Sequence, residues 1–255
     1  MPAPGESAND LVTSILAVIP ARGQSKRIPR KNLCDVAGRP LIAWSIEEAK
    51  QVPEISRLIV STDDEEIAQV SREWGAEVPF VRPPGLATDH ATSFEVVDHA
   101  LRWCTESGGR QPELVLLLQP TSPLRTAADI RGAIALQRRT GANGVVSVQH
   151  AEHRPWWFRT IASDGELQPW RGLTAANDDG QPLYLFNGCI YLVRSEVFLT
   201  ERTFVPHTTQ AFVMPAERSL DIDVPPDLKI ADLLLRDRQA AATRPADAIG
   251  SRAQL

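Results

Sequence analysis

The chain has 255 residues, of which 43% are hydrophobic and 23% are charged, with 27 lysines and arginines against 32 aspartates and glutamates. This composition is typical of a globular protein with a buried core and excludes general disorder. The formal net charge of −5 excludes a basic protein that binds nucleic acid through the phosphate backbone.

Short apolar strands alternate with amphipathic helices over much of the chain. We predict strands at 15–19, 57–61, 78–81, 114–118 and 144–148, and helices at 40–50, 64–74, 93–105 and 127–139. Repeated βα units with short connections predict an open, mainly parallel sheet with helices on both faces. The expected fold is therefore a three-layer α/β/α domain of the Rossmann-like type.

The alternation stops between residues 150 and 186, where Trp, Pro, Gly and Asp are frequent. This stretch is too long for a connection inside a compact domain. We interpret 150–186 as an inserted arm whose tryptophans, Trp156, Trp157 and Trp170, pack against another surface such as a second subunit. The pattern resumes with strands at 189–193 and 212–214 and a helix at 226–235. The sheet domain thus comprises 14–149 and 187–238, and we expect flexible tails at 1–13 and 239–255.

The cysteines, the lengths of the apolar runs and the first residues indicate the cellular compartment in which we expect the protein. The three cysteines, Cys34, Cys104 and Cys189, are odd in number and lack CxxC spacing, so neither a disulfide framework nor a zinc site is expected. The longest apolar runs are shorter than the about 20 residues that a membrane helix needs. The first nine residues lack the pattern of a secretory signal. We expect a cytoplasmic protein that binds neither membrane nor nucleic acid.

The loop after the first strand is suited to a polyanion. Residues 20–33 contain five cationic side chains: Arg22, Lys26, Arg27, Arg30 and Lys31. Ligands of open α/β sheets bind beyond the carboxyl ends of the strands, which is where this loop lies. Gly23 permits close backbone approach, and Ser25 can donate a hydrogen bond. Neither a Walker A nor a GxGxxG pattern is present, so side chains are expected to hold the phosphates together with backbone amides. A solvated basic loop is the alternative.

Two carboxylates near the end of the chain have spacing suitable for a metal. Asp221 and Asp223 alternate, so on an extended segment both point to one side. Their hard oxygen ligands suit Mg²⁺. An ordinary solvated strand edge would have the same spacing.

Six stretches, in order, resemble the acylneuraminate (CMP-sialic acid) cytidylyltransferase family. They are 19–32, Ser61-Thr62-Asp63, Arg82-Pro83 with Leu86-Ala87-Thr88-Asp89, 118–125, Asn187-Gly188 and Asp221-Ile222-Asp223. The resemblance implies an Mg²⁺-dependent transfer of CMP from CTP to a hydroxyl of an acidic sugar, with release of pyrophosphate. It also implies that the sheet domain binds the nucleotide and that the 150–186 arm serves homodimerisation and acceptor binding.

The resemblance implies a role for each matching residue. Nucleotide contacts are expected from Arg22, Gly23, Ser25, Lys26, Lys31, Asn32, Arg82 and Ser93, and acceptor contacts from Gln119, Ser122 and Asn187. Asp221 and Asp223 would hold the metal, and the catalytic groups would be Arg22, Lys31 and Asp223. Other interpretations stay open: Arg82 could be a surface residue paired with Asp89, Ser93 a helix cap, and Gln119 a partner for backbone groups at a strand end.

The sequence departs from the family pattern where the acceptor is concerned. Leu185 and Asn177 stand where sialate-specific members carry arginines, and Trp157 where some carry lysine. The missing charge could come from Arg154, Arg159 or Arg171, across a dimer interface. The expected acceptor is a nonulosonic 2-keto sugar acid. The alternatives are 3-deoxy-manno-octulosonate, a phosphonate, or a non-catalytic protein that only binds the nucleotide.

Overall fold

A computed structural model describes residues 14–172 and 180–243. The strands are β1 (Ile15–Pro20), β2 (Asp35–Val36), β3 (Arg39–Pro40), β4 (Ile55–Ser61), β5 (Leu114–Leu117), β6 (Gly144–His150), β7 (Arg159–Ile161), β8 (Leu167–Pro169), β9 (Tyr184–Arg194) and β10 (Thr209–Val213). The α-helices are α1 (Leu41–Lys50), α2 (Glu65–Glu73), α3 (Ser93–Glu106), α4 (Ala127–Thr140), α5 (Ser195–Glu201) and α6 (Pro225–Thr243).

Six strands form the central sheet in the order β10-β6-β9-β5-β1-β4. β1 pairs in parallel with β4 and β5, and β10 pairs in parallel with β6. β9 runs antiparallel between β5 and β6. The predicted mainly parallel sheet is therefore confirmed, with one antiparallel strand inside it.

Alternating side chains of β1 pack against helices on opposite faces of the sheet. Ile15, Ala17 and Ile19 belong to a core that includes buried residues of α1, α2 and α4. Leu16 and Val18 belong to a core with α3 and α5. Because successive strand residues point to opposite faces, a continuous apolar run is buried on both sides. This arrangement confirms the predicted three layers.

The last helix packs on the loop that follows β1. Ala231 and Leu235 of α6 are buried together with Trp44 and Leu124 in a third apolar cluster, which also contains Ile222. Burial of Ile222 fixes the chain just before α6. This packing brings the acidic residues on either side of Ile222 to the carboxyl end of the sheet.

The largest differences from the prediction concern one strand, the bounds of the arm and the end of the last helix. The predicted strand at 78–81 does not form, and only a single bridge joins Glu77 to Ile59. Pro79 has no N–H to donate to a strand ladder, which explains the difference. β6 and β9 extend into the predicted 150–186 arm, since His150 pairs with Tyr184. α6 continues into the predicted 239–255 tail as far as Thr243, while 1–13 and 244–255 lie outside the described residues.

The described helices and cysteines have two further properties. Within 14–172 and 180–243, no helix combines the length and apolarity needed to cross a bilayer. The thiols of Cys34, Cys104 and Cys189 are free.

Candidate active site

Loops at the carboxyl ends of β1, β4 and β5 enclose a cavity of about 410 Å³. A second cavity, of about 600 Å³, shares several of its walls, and we call the two together the cleft. Nine predicted site residues line the first cavity: Arg22, Ser25, Lys31, Asn32, Arg82, Ser93, Gln119, Asp221 and Asp223. Gly23 and Lys26 line the second. Positions far apart in sequence therefore meet in one place.

Lys31 connects the basic loop to the acidic segment before α6. Its Nζ donates to the Ile222 carbonyl at 2.7 Å and lies 3.9 Å from the Asp223 carboxylate. Arg27 pairs with Asp223 at 3.2 Å. Burial lowers the pKa of Lys31, although Asp223 and Asp221 oppose the shift. A lysine that is fixed and partly desolvated in this way interacts strongly with an added anion.

Arg22 and Lys26 converge on one carboxylate at the wall of the cleft. Arg22 Nη1 lies 2.9 Å from Asp89, and Lys26 Nζ lies 2.6 Å from the same side chain. Arg22 also donates to the Thr88 carbonyl at 3.3 Å. The two cations expected to bind phosphate are thus already paired with an anionic group of the chain.

Glycine is required at position 23 because a side chain of α2's N-terminus lies against its backbone. A Cβ at this position would lie 2.7 Å from Asp64 Oδ2 and 2.8 Å from Asp64 Cβ. The Gly23 amide donates to Asp63 Oδ1 at 3.0 Å, and Asn32 Nδ2 donates to the Arg22 carbonyl at 3.0 Å. Gly23 thus lies against Asp64, the N-cap of α2, and these bonds fix the shape of the basic loop.

Arg82 is buried at the back of the cleft. Its guanidinium donates to the hydroxyl of Ser61 at 3.1 Å and also to the Ser61 carbonyl. Burial lowers the pKa of Arg82 to about 10, assisted by the charge of Arg22 and opposed by Asp63, so the side chain stays charged at neutral pH. The alternative of a surface residue paired with Asp89 is wrong.

Ser93 is the first residue of α3 and faces the cleft. The helix cap is the preceding residue, Thr92, whose side chain accepts from the Glu95 amide while Glu95 accepts from the Thr92 amide. The interpretation of Ser93 as the cap is therefore wrong by one position. This capping box leaves the Ser93 hydroxyl outside the capping bonds.

The three predicted acceptor residues separate into two groups. Gln119 lines the cleft. Ser122 is completely buried and does not line it. Asn187 is also buried, and its amide bonds to Ser147, Ser219 and the Cys189 N–H. Of these three residues, therefore, Gln119 is the one that lines the cleft and can contact a ligand there directly.

Asp221 and Asp223 form the most suitable metal-binding feature of the cleft. Ile222 between them is fully buried, so both carboxylates line the cavity as the alternation predicts. Desolvation raises the pKa of Asp221; a hydrogen bond with Thr121 opposes the shift, and the charge of Asp223 adds to it. A divalent cation would relieve that repulsion. Within the described ranges no group of three or more His, Cys, Asp or Glu residues could hold a metal.

Two residues that support the site, Asp89 and Arg125, were not among the site residues predicted from the sequence. Asp89 neutralises Arg22 and Lys26, as described above. Arg125 is fully buried and donates to the carbonyls of Gln119 and Cys189 and to the Ser45 hydroxyl. Arg125 thus fixes the backbone of Gln119. Both residues lie within stretches that resemble the family, which was the only signal available.

The arm contributes no residue to the walls of the cleft among those described. Arg159 donates to the carbonyls of Trp156 and Phe158. Arg171 stacks on Trp170 with 4.8 Å between the guanidinium carbon and the ring centroid. Asn177 lies outside the described residues. Arg154 donates to the Gln181 carbonyl at 3.4 Å and stacks on Trp156. All three arginines considered as replacements for missing acceptor charge therefore have partners within the arm.

Comparison with known proteins gives three findings. A profile of the family described as Cytidylyltransferase matches residues 16–153. The CMP-N,N'-diacetyllegionaminic acid synthase of Legionella pneumophila is 36% identical over 236 residues, which are 89% of this chain and 98% of that protein. The N-acylneuraminate cytidylyltransferase of Streptococcus agalactiae is 34% identical over 216 residues, which are 83% of this chain and 51% of that protein.

The fold is shared with a solved structure of CMP:2-keto-3-deoxy-manno-octonic acid synthetase complexed with CTP. The superposition covers 88% of this chain and 99% of the other, with a TM-score of 0.65 and 18% sequence identity. At this identity the similarity concerns the fold alone.

Proposed function

The chain belongs to the cytidylyltransferase family, and we propose that it transfers CMP from CTP to a hydroxyl of a nonulosonic 2-keto sugar acid. The observation that carries the proposal is the contact between Lys31 and the 221–223 segment inside the cleft. Cationic and acidic groups on one cavity wall suit a nucleoside triphosphate that arrives with a divalent cation.

The chain's part in this reaction is to neutralise and orient the reactants. The acceptor oxygen forms a bond to the α-phosphorus of CTP while the bond from that phosphorus to the β-phosphate oxygen breaks, and pyrophosphate and a proton leave. Lys31 is held by Ile222 and Asp223 before substrate arrives. Groups that are fixed in advance need little reorganisation when charge develops on the phosphate oxygens.

Mg²⁺ is part of the proposal. Asp221 and Asp223 would hold it, and when bound it neutralises charge on the phosphate oxygens. Their carboxylates fit the ion because they are adjacent, line the cavity, and repel each other without a cation.

The acceptor class rests on Gln119 and on the names of the relatives. Gln119 offers an amide that can both donate and accept hydrogen bonds toward hydroxyl and carboxylate groups. The relatives named above act, by their names, on diacetyllegionaminic and N-acylneuraminic acids. Both are nonulosonic acids, so we propose this class and leave the ring substituents open.

We further propose that the protein is a homodimer formed through the arm. The arm has large apolar side chains in water: Trp157 is 64% exposed, Ile161 73% and Leu167 65%. Ile161 and Leu167 are paired across β7 and β8, and exposed apolar surface of this kind is typical of a protein interface. We place the reaction in the cytoplasm, where CTP is available and where the three free thiols persist.

The direct test is pyrophosphate release from purified protein with CTP and Mg²⁺. The assay includes a panel of nonulosonic acids, 3-deoxy-manno-octulosonate and phosphonates. We expect CTP-dependent release with at least one nonulosonic acid and formation of the corresponding CMP ester. Release only with the octulosonate or a phosphonate would contradict the acceptor class, and CTP binding without any release would favour a non-catalytic protein.

A further inference from the structure

The strand pairing between β6 and β9 is interrupted by a large β-bulge close to the cleft. Val146 pairs with Tyr191, but the next pair in the register joins Val148 to Phe186. Residues 187–190 of β9 therefore lie opposite Ser147 alone. Bulges of this kind redirect side chains and are frequent beside active sites.

Buried hydrogen bonds fix the conformation of this bulge. The Ser147 hydroxyl donates to Asn187 Oδ1 at 2.6 Å and accepts from the Ile190 amide at 2.7 Å. Asn187 Oδ1 also accepts from the Cys189 amide at 3.2 Å, and Asn187 Nδ2 donates to the Ser219 hydroxyl at 2.9 Å. The Asn187 amide oxygen therefore accepts two hydrogen bonds and the amide nitrogen donates one inside the protein, and the residue is only 3% exposed.

Gly188 is the bulge residue that lies against Gln119 and Asp221, two residues that line the cleft. Its φ of +74° favours glycine, and a Cβ there would lie only 2.8 Å from Gln119 Oε1. The same Cβ would be 3.7 Å from Ser122 Oγ and 3.8 Å from Asp221 Oδ2, which are ordinary contacts. The absence of a side chain at 188 therefore gives room to Gln119 while leaving Asp221 unaffected.

We propose that Gly188, held by the Ser147–Asn187 bonds, is a positioning residue for the Gln119 side chain and so for the acceptor. The inference rests on the proposed function, because it is there that Gln119 contacts the acceptor. Asn187, which we expected to contact the acceptor directly, would then act on the acceptor indirectly, by holding the backbone at Gly188. We expect CTP binding to change little, because the cations of the cleft lie on the loop after β1 and on the segment after β4, and not on the bulge.

The test uses the variant Gly188→Ala with Gly141→Ala as its control. Gly141 has a similar φ of +66°, and a Cβ there meets no atom within 4 Å. The control therefore carries the same kind of backbone cost without the contact to Gln119. We expect Gly188→Ala to raise the acceptor KM about tenfold, with an unchanged Kd for CTP, because misplacing an orienting group affects the bound substrate it orients. Gly141→Ala should leave both constants unchanged.

A second comparison separates a positioning role from a general structural one. In a Gln119→Ala background, Gly188→Ala should have little further effect on the acceptor KM, because the group it displaces is absent. Equal effects in both backgrounds, or a parallel loss of CTP affinity, would overturn the inference. If Gly188→Ala does not fold, Ser147→Ala provides the test: it removes one anchor of the bulge and should raise the acceptor KM without changing CTP binding.

A spectroscopic measurement distinguishes failure of this inference from failure of the proposed function. The NMR side-chain amide resonances of Gln119 should shift in Gly188→Ala but not in Gly141→Ala, whether or not an acceptor is known. If the wild type released no pyrophosphate with any acceptor, the proposed function would fail while this shift could still be observed. Unchanged resonances in a folded Gly188→Ala protein would overturn the inference itself.

Discussion

In the cleft, charged side chains are paired with opposite charges of the same chain, whereas the arm carries large apolar side chains that the described part of the chain leaves exposed. Lys31 lies between Ile222 and Asp223, and Arg22 lies against Asp89. On the arm, Trp157 and Ile161 are 64% and 73% exposed. Under the proposed function, one chain supplies the groups that bind the nucleotide, and we expect a second copy of the chain to cover the arm.

The largest expected effect is on the cleft side of this comparison. Lys31→Met removes the cation that joins the basic loop to the acidic segment and leaves Asp223 with only Arg27. We expect pyrophosphate release to fall by about 10²- to 10³-fold, the usual cost of losing one preorganised electrostatic group. Lys229→Met, on the exposed surface of α6, is the matched control and should keep full activity. A loss of less than about fivefold in Lys31→Met would contradict its role.

The next effect tests the arm. Ile161→Asp places a charge in the exposed apolar surface, and we expect a dimer to become a monomer in light scattering because burial of an unpaired charge opposes association. The Kd for CTP, measured by calorimetry, should remain unchanged because one chain forms the cleft. Val81→Asp, at a site 69% exposed outside the arm, should remain dimeric. A wild type that is monomeric at micromolar concentration would contradict the interpretation of the arm.

The smallest effect refines how the cleft is prepared for substrate. Asp89→Asn removes the carboxylate that occupies Arg22 and Lys26. A triphosphate competes for the same cations, so we expect CTP to bind about two- to fivefold more tightly, a small effect because exposed ion pairs contribute little free energy. Glu66→Gln, which removes a partner of the neighbouring Arg30, is the control for net charge. Weaker CTP binding in Asp89→Asn alone would mean that Asp89 orients the cations and does not compete with substrate.

Much of the fold could be predicted because its signals are local. The apolar run of β1 and the helical spacing of α1 to α4 depend on neighbouring residues, and these elements form within a few residues of the predicted bounds. The failure at 78–81 is also local, since Pro79 interrupts the ladder. The position of β9 was not predictable, because strand pairing depends on contacts between distant segments.

The candidate site divides in the same way. A dense cationic loop after the first strand predicts anion binding from sequence alone, and the structure brings four of its five cations, all but Arg27, into the cleft. Their partners are remote: Arg22 and Asp89 are 67 positions apart, and Lys31 and Ile222 are 191 apart. The inward orientation of Asn187 could not be predicted either. No local sequence pattern shows whether a polar side chain forms hydrogen bonds inside a bulge or faces a ligand.

The most direct test of the central claim, that the basic loop and the acidic segment act together on one nucleoside triphosphate, is calorimetric titration of CTP with and without Mg²⁺. In the wild type, Mg²⁺ should tighten CTP binding. In Asp223→Asn this tightening should be lost, while binding without Mg²⁺ should be no weaker because a negative charge has been removed from the cleft. The same dependence on Mg²⁺ in both proteins would contradict the account.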